Sequence, residues 1–403
     1  MPSPLAIHWS LDPNVTFLNH GSFGACPKVV LEAQRRWRDQ LERNPVQFLA
    51  RRLFPLLDET RERLAAFVGA PMEGLAFVRN ATEGANAALR SIPLAPGDEV
   101  VTTNHDYNAI RNALNYICST SGAKLVVAEV PFPLSDPNAV VVAVVSAFTE
   151  HTRVVAIDHV TSPTGLVLPV EAIIAEAHAR NIVTFVDGAH APGMIPLNLR
   201  AIGADYYTGN LHKWVCAPKG AAFLYIKSEA REATLPPVIS HGYNLARPGR
   251  KYLDSFEWQG TADPTAWLTV PTAIDAMAAF HPDGWPGIMR ENRRLALEAR
   301  GILTKALGTA SPAPDAMIGS LAAVPIPAGT LPTPAPLVED PTQARLFEEF
   351  GIEVPLPPWP KPPERLVRVS AQLYNARADY ERLATALASV LLAEIHSLRR
   401  HTH

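Results

Sequence analysis

The stretch RVVAIDHVTSPTGLVLPVEAIIAEAHARNIVTFVDGAHAPG, residues 153–193, carries the reading of the fold. It opens on RVVAID (Arg153–Asp158), a short run dominated by apolar and β-branched residues that reads as a strand. It closes on a second such run, IVTFVD (Ile182–Asp187). Between them Val170–Arg180 has helical spacing, and Pro169 stands near its first turn, where a missing N–H is tolerated. Strand, helix and strand in this order form a parallel crossover unit.

The pattern extends in both directions. LAFV (Leu75–Val78), EVVTT (Glu99–Thr103), KLVVAEV (Lys124–Val130), DYYTG (Asp205–Gly209) and GAAFLYI (Gly220–Ile226) also read as strands, with helix-like pieces at Ala81–Arg90 and Tyr107–Ser119. Seven strands alternating with helices predict an α/β protein with a mostly parallel seven-stranded sheet covered by helices on both faces. Beyond Lys227 the alternation stops. Ala266–Phe280 and Pro286–Leu307 read as helices, the proline-rich Ser311–Pro336 and Val354–Pro363 as loops, Leu366–Ser370 as a strand, and the chain from about Ala376 as an amphipathic helix. The expectation is a smaller C-terminal α+β domain: an N-terminal segment over 1–20, a large domain over 21–260 and a small one over 261–403. The tail SLRRHTH reads as a frayed end.

Composition narrows the function classes. With 403 residues, 47% hydrophobic and 19% charged, the chain can bury a large core. A net charge of −3 argues against nucleic acid as the partner. Cys26, Cys118 and Cys216 are widely spaced and odd in number, which fits neither a disulfide framework nor a zinc knuckle and points to a reducing, cytoplasmic setting. The most apolar stretch, Ala139–Val145, is too short to span a bilayer.

In an open α/β sheet, ligands bind beyond the carboxyl ends of the strands. Asp187 ends one strand; by itself it also fits a helix cap. Lys213, in TGNLHKW after DYYTG, fits a surface lysine as well as an amine with a depressed pKa. Together they suit pyridoxal 5′-phosphate (PLP), which needs an acid at its ring nitrogen and an amine at its carbonyl. Asn80-Ala-Thr-Glu after LAFVR opens a helix whose N–H groups suit a phosphate. The loop after EVVTT offers His105 and Tyr107 to cover a planar ring, and DHVTSPTG offers Ser162 and Thr164. Neither a P-loop nor GxGxxG follows a strand, and no metal spacing is present.

The strings NHGSFGACP (19–27), NATEGAN, DGAHAPG, TGNLHKW, QGTADPTAW (259–267) and VRVSAQLYN (367–375) resemble the class V aminotransferase group of fold type I PLP enzymes, above all its isopenicillin N epimerase-like branch. The resemblance runs from about Phe17 to the final helix. It implies that Lys213 carries the cofactor and shuttles a proton at Cα, Asp187 pairs with the ring nitrogen, and His190, helped by Ser162, lies at the ring's 3-oxygen. Ala81, Thr82, Glu83, Asn210 and His212 would cup the phosphate, with Thr164 nearby. Thr261 would reach the phosphate of a neighbouring subunit, which implies a homodimer. Arg368 would clamp the substrate carboxylate, with Asn19, Gly21 and Arg52 also placed at the substrate.

One departure from the group matters. Cysteine desulfurases carry a nucleophilic Cys before this arginine, whereas here the segment reads EVPLPPWPKPPER, with no Cys. The expected reaction is therefore epimerisation of an amino acid, with carbon–sulfur β-elimination and transamination as alternatives. A PLP-binding regulator would need a DNA-binding domain that the sequence does not show. Arg51, Arg52 and Arg247 are candidates to read a second substrate carboxylate.

Overall fold

The computed structural model describes residues 3–245, 247–329 and 339–401, with side chains to residue 394. Strands are numbered in chain order: β1 Thr16–Phe17, β2 Leu75–Val78, β3 Glu99–Thr103, β4 Lys124–Ala128, β5 Thr152–Asp158, β6 Val183–Asp187, β7 Tyr206–Asn210, β8 Ala222–Ile226, β9 Leu321–Ile326, β10 Ile352–Glu353 and β11 Arg365–Ser370.

Seven of them form one sheet in the order β2-β8-β7-β6-β5-β3-β4. The inner strands run parallel, and β8 alone is antiparallel to both of its neighbours. The seven strands read from the sequence are these seven, within two residues at each end. Side chains alternate across the sheet and so feed two cores. Leu75, Phe77, Val101, Val155, Ile157 and Val186 pack on one face, while Ala76, Val78, Val100, Val154, Ala156 and Phe185 pack on the other. Such double-sided burial is why these strands read as continuous apolar runs.

The connecting helices start and stop for local reasons. Helix Ala81–Ser91 is capped by Asn80, whose side chain accepts the Glu83 N–H at 2.9 Å. Helix Asn108–Ser121 ends at Gly122 with φ of 76°, a left-handed cap that favours glycine. The short apolar stretch 139–145 lies in helix Asn138–Ser146. Among the described residues no helix is long and apolar enough to cross a membrane.

Strands β9 and β11 form an antiparallel ribbon next to helices Gly284–Leu307 and Arg377–His401. The proline-rich region 311–336 was expected to be loop, and β9 inside it corrects that reading. Pro325 in β9 has no N–H to give, and a two-stranded ribbon tolerates this because one side of each strand is an edge. Residues 330–336 of that expectation, and the end of the tail, lie outside the described residues. β1 pairs with β10, so the N-terminal segment docks on the C-terminal part of the chain.

Candidate active site

Beyond the carboxyl ends of β5, β6 and β7 lies a cavity of about 410 Å³. Ser22, Tyr107, Asp187, His190 and Lys213 are among its lining. Asp158 and Asp187 are partners in register on adjacent parallel strands, so their side chains share one face of the sheet about 4.8 Å apart at the backbone. Both are buried. Burial raises the Asp187 carboxyl, opposed by the Ala189 N–H that it accepts at 2.9 Å and by Lys213. Asp158 is raised well above the carboxylate range, by burial first and then by Asp187 and Asp106.

Lys213 follows β7 in a tight loop. Its Nζ lies 3.0 Å from His190 Nε2. The amine is lowered to about 7, chiefly by burial and then by the Arg368 charge, while Asp187 and Asp158 pull the other way. Burial and the Lys213 charge hold His190 well below its ordinary value, so its imidazole is neutral. Its Nδ1 accepts from Trp214 Nε1 at 3.4 Å. His190 Nε2 therefore carries its proton toward Lys213 when the amine is neutral.

Bonded to Ser22 and Ser162 of the lining is Arg368, 5% exposed. It donates to the Ser162 carbonyl at 2.6 Å, to Ser162 Oγ at 3.1 Å and to Ser22 Oγ at 3.1 Å. These partners are neutral, and Nε has none. Burial lowers the guanidinium to about 10, with Tyr107 opposing. A buried guanidinium with no carboxylate in salt-bridge reach among the described residues is suited to a planar anion.

The helix N-terminus at Ala81 forms a third wall. Ala81 N–H donates to Asn210 Oδ1 at 2.8 Å, and Thr82 lines the cavity beside Asn210 and His212. His212 Nδ1 lies 3.2 Å from the Ala221 carbonyl, which leaves Nε2 as the ring's acceptor. The Glu83 backbone N–H, expected at the phosphate, donates to Asn80 Oδ1 at 2.9 Å, and the Glu83 carboxylate pairs with Arg79.

Other expected site residues lie elsewhere. His105 is fully buried, with Nδ1 2.7 Å from Thr164 Oγ1, Nε2 3.1 Å from the Val130 carbonyl and its ring 4.1 Å from Trp359. Both of its nitrogens are engaged and neither it nor Thr164 lines the cavity, so of the pair His105 and Tyr107 it is Tyr107 that does. Asn19 acts through Ser22, whose hydroxyl it accepts, and holds Glu353 at 3.0 Å. Gly21 donates its N–H to Ser370 Oγ at 2.9 Å, and a Cβ there would meet Leu321 at 2.9 Å. Arg51 and Arg52 are exposed, Arg52 bonds Gln40, and Arg247 is tied to Asp254 and Glu257; none lines this cavity. Thr261 is exposed on a second cavity of about 420 Å³, which shares Arg79, Lys219 and Gly220 with the first.

Sequence reasoning passed over Asp158, Ser22 and His20. Asp158 ends a strand as Asp187 does, so the strand-end rule applied evenly would have found it. Nothing local marked Ser22, whose partner Arg368 is 346 residues away.

The pattern of the family described as aminotransferase class V matches residues 17–312. The chain belongs to the class V aminotransferase family. Among its relatives, an isopenicillin N epimerase of Amycolatopsis lactamdurans is 36% identical, over 94% of this chain and 96% of that protein. A putative L-cysteine desulfhydrase of Oryza sativa subsp. japonica is 32% identical, over 94% and 85%. A solved cystine C–S lyase variant, with glycine covalently linked to its PLP cofactor, superposes with a TM-score of 0.75 at 20% identity, over 93% and 97%. That last likeness extends to the fold alone. The chain is an enzyme of this family.

Proposed function

We propose that this enzyme uses PLP to invert the Cα configuration of an amino acid. The observation that carries the reading is a single cavity lined by the depressed Lys213 amine, buried Asp187, and Ser22 and Ser162, the two serines that bond Arg368, whose guanidinium meets no carboxylate among the described residues. When bound, PLP supplies a carbonyl that takes up an amino group and a ring that draws electrons from Cα.

The residues fit that group. The helix N-terminus at Ala81 and Thr82, with the Asn210 amide, would receive the phosphate, and His212 would flank it as a neutral ring whose donor is taken by the Ala221 carbonyl. Asp187 would hold a proton at the ring nitrogen, and His190 and Ser162 would stand at the ring's oxygen. Lys213, lowered to about 7 and so neutral in about half of the molecules at pH 7, would take and return the Cα proton on one face. Tyr107, lining the same cavity close enough to Arg368 to interact with it, would hold the second proton. Arg368 would fix the substrate carboxylate by two parallel N–H donors.

The epimerase relative at 36% identity supports inversion over the alternatives. The desulfhydrase relative supports a second reading, β-elimination from a sulfur amino acid, which needs one base and no second proton carrier. In neither reading does the protein supply a thiol, because Cys26, Cys118 and Cys216 are all buried and none lines the cavity.

Two copies would complete the site. The second cavity opens directly beside the first, and Val238, Ile239 and Tyr243 are exposed apolar residues near Thr261 in sequence. The same reading keeps 261–403 as the small domain, with residues 1–20 joined to it through β1 and β10, and places the enzyme in the cytoplasm.

The test is incubation of the PLP-loaded enzyme with a panel of L-amino acids in deuterated water. Deuterium at Cα with accumulation of the D-isomer supports inversion, and release of pyruvate and sulfide from cysteine supports the second reading. A protein with no borohydride-reducible PLP adduct on Lys213 would sink both.

A further inference from the structure

His20 sits immediately beneath the Lys213 loop and is fully buried. Its Nε2 lies 3.0 Å from the Lys213 carbonyl oxygen, and its Nδ1 lies 2.8 Å from the Tyr374 hydroxyl and 3.3 Å from the Ala25 N–H. The Gln372 amide nitrogen also lies 3.3 Å from Nε2, but the closer Lys213 carbonyl there and the Ala25 N–H at Nδ1 decide the tautomer. A carbonyl can only accept and a backbone N–H can only donate, so Nε2 carries the proton and Nδ1 accepts. Burial lowers the ring to about 3, so it is neutral and adds no charge next to Lys213.

We infer that His20 is a positioning residue for Lys213: its Nε2–H grips the Lys213 carbonyl and so sets where the ε-amine stands in the cavity. Three features support this. The Lys213 carbonyl already accepts the Cys216 N–H at 3.0 Å, closing a turn in which Cys216 has φ of 58°, a left-handed conformation unusual for a residue with a side chain. That turn is strained and needs an outside tie. Four residues on from His20, Gly24 has φ of 71°, and a Cβ there would fall 2.1 Å from the His212 carbonyl and 3.0 Å from Lys213 Cα. The segment therefore lies flat against the lysine's main chain as well as bonding it. The His20 ring also packs 4.9 Å from that of Trp214, the residue after Lys213.

Tyr374 belongs to the C-terminal part of the chain and His20 to the N-terminal segment, so one neutral ring joins both to the sheet's lysine loop. The groups that face the amine itself are His190, Asp187, Asp158, Arg368 and His212. His20 makes its hydrogen bond to the main chain of Lys213 and none to the amine.

The inference rests on the reading of Lys213 as the PLP-bearing residue, and the test separates the two. The rate at which the cofactor-free enzyme takes up PLP is measured against pH, together with the rate of PLP release, for wild type, His20→Leu, His20→Gln and His20→Asn. Glutamine places an amide N–H where Nε2–H stands, and asparagine falls short of it. His20→Leu and His20→Asn should release PLP about tenfold faster, the weight of one hydrogen bond, and should move the uptake midpoint up from about 7 toward an ordinary lysine. His20→Gln should follow wild type in both. If His20→Leu does not fold, the Gln and Asn variants alone decide. Equal behaviour of Gln and Asn, or wild-type release and midpoint in a folded His20→Leu, overturns the inference. A wild-type enzyme with no adduct on Lys213 overturns the reading beneath it instead.

Discussion

The floor and the clasp of this cavity are built in opposite ways. The floor is Asp158, Asp187 and the Lys213 loop, each delivered by the end of a strand in a regular sheet. The clasp is Asn19–Gly24 with Arg368, which come from distant parts of the chain and meet through Ser22. Rigid, repetitive backbone places the floor, so its chemistry is set by which residue ends each strand. The clasp is placed by individual hydrogen bonds and close backbone approach, so its geometry depends on single atoms. Substitutions in the floor should therefore abolish chemistry in a protein that still folds. Those in the clasp should alter binding or stability more than the chemical step.

The largest effect belongs to the floor. On the proposed function Lys213→Ala would remove both the cofactor's anchor and the base, and should lower turnover by about 10⁴ or more, the upper end for losing a positioned acid–base group. Its folding, read by circular dichroism, should be unchanged. Retained turnover would end the claim that the floor carries the chemistry. Asp187→Ala should follow with a loss of about 10²–10³, comparable to removing one preorganised polar partner of the developing charge. A shift in the absorbance of bound PLP should accompany it, since the ring nitrogen loses its proton partner.

The depressed amine sharpens the floor's side of the comparison. PLP uptake needs the neutral lysine, whose fraction rises with pH through the folded-state value of about 7. Uptake by the cofactor-free enzyme should therefore climb between about pH 6 and 8 and then flatten, where an ordinary lysine would still be climbing at pH 10. Stability runs the same way for this group. Its unfolded value lies above its folded one, so the unfolded chain binds more protons between pH 7 and 10, and Lys213's burden on folding eases as pH rises through that window. Lys213→Met should remove that slope from a thermal titration.

In the clasp, Arg368→Lys keeps the charge but loses the planar pair of donors. It should raise KM for the amino acid by about 10–100-fold, the weight of a charge-assisted hydrogen bond, with a smaller change in kcat. A fall in kcat as deep as that of Asp187→Ala would mean that the clasp is part of the chemistry and would break the distinction.

The same contrast explains what the sequence made legible. All seven sheet strands were readable, because double-sided burial writes apolar runs into them and turns punctuate the runs. Asp187 and Lys213 could be singled out because strand ends are where ligands bind, and the structure brings both to one cavity. The clasp was not, because no local pattern says that Ser22 meets Arg368 or that His20 meets Lys213, 193 residues away. His105 and Tyr107, two residues apart, posed a choice that tertiary packing made. His105 points under Trp359 and Tyr107 toward the cavity. β9 was obscured by Pro325 within it and by the prolines around it, since an edge strand can hold residues that a central one cannot.

The smallest effect tests whether the clasp acts through geometry alone. Gly24→Ala adds one methyl group where φ is +71° and the His212 carbonyl would be 2.1 Å away. No charge or donor changes, so only the approach of segment 19–24 to the lysine loop is disturbed. The substitution should destabilise the fold by about 1–3 kcal/mol, the usual range for backbone strain, read as a lowered Tm. At a temperature where the variant is folded, turnover should stay within about threefold of wild type, because less than 1 kcal/mol in barrier height separates them. A stable Gly24→Ala with a large loss of turnover would show that this close approach, beyond the hydrogen bond of His20, sets the lysine, and would move this part of the clasp into the catalytic floor.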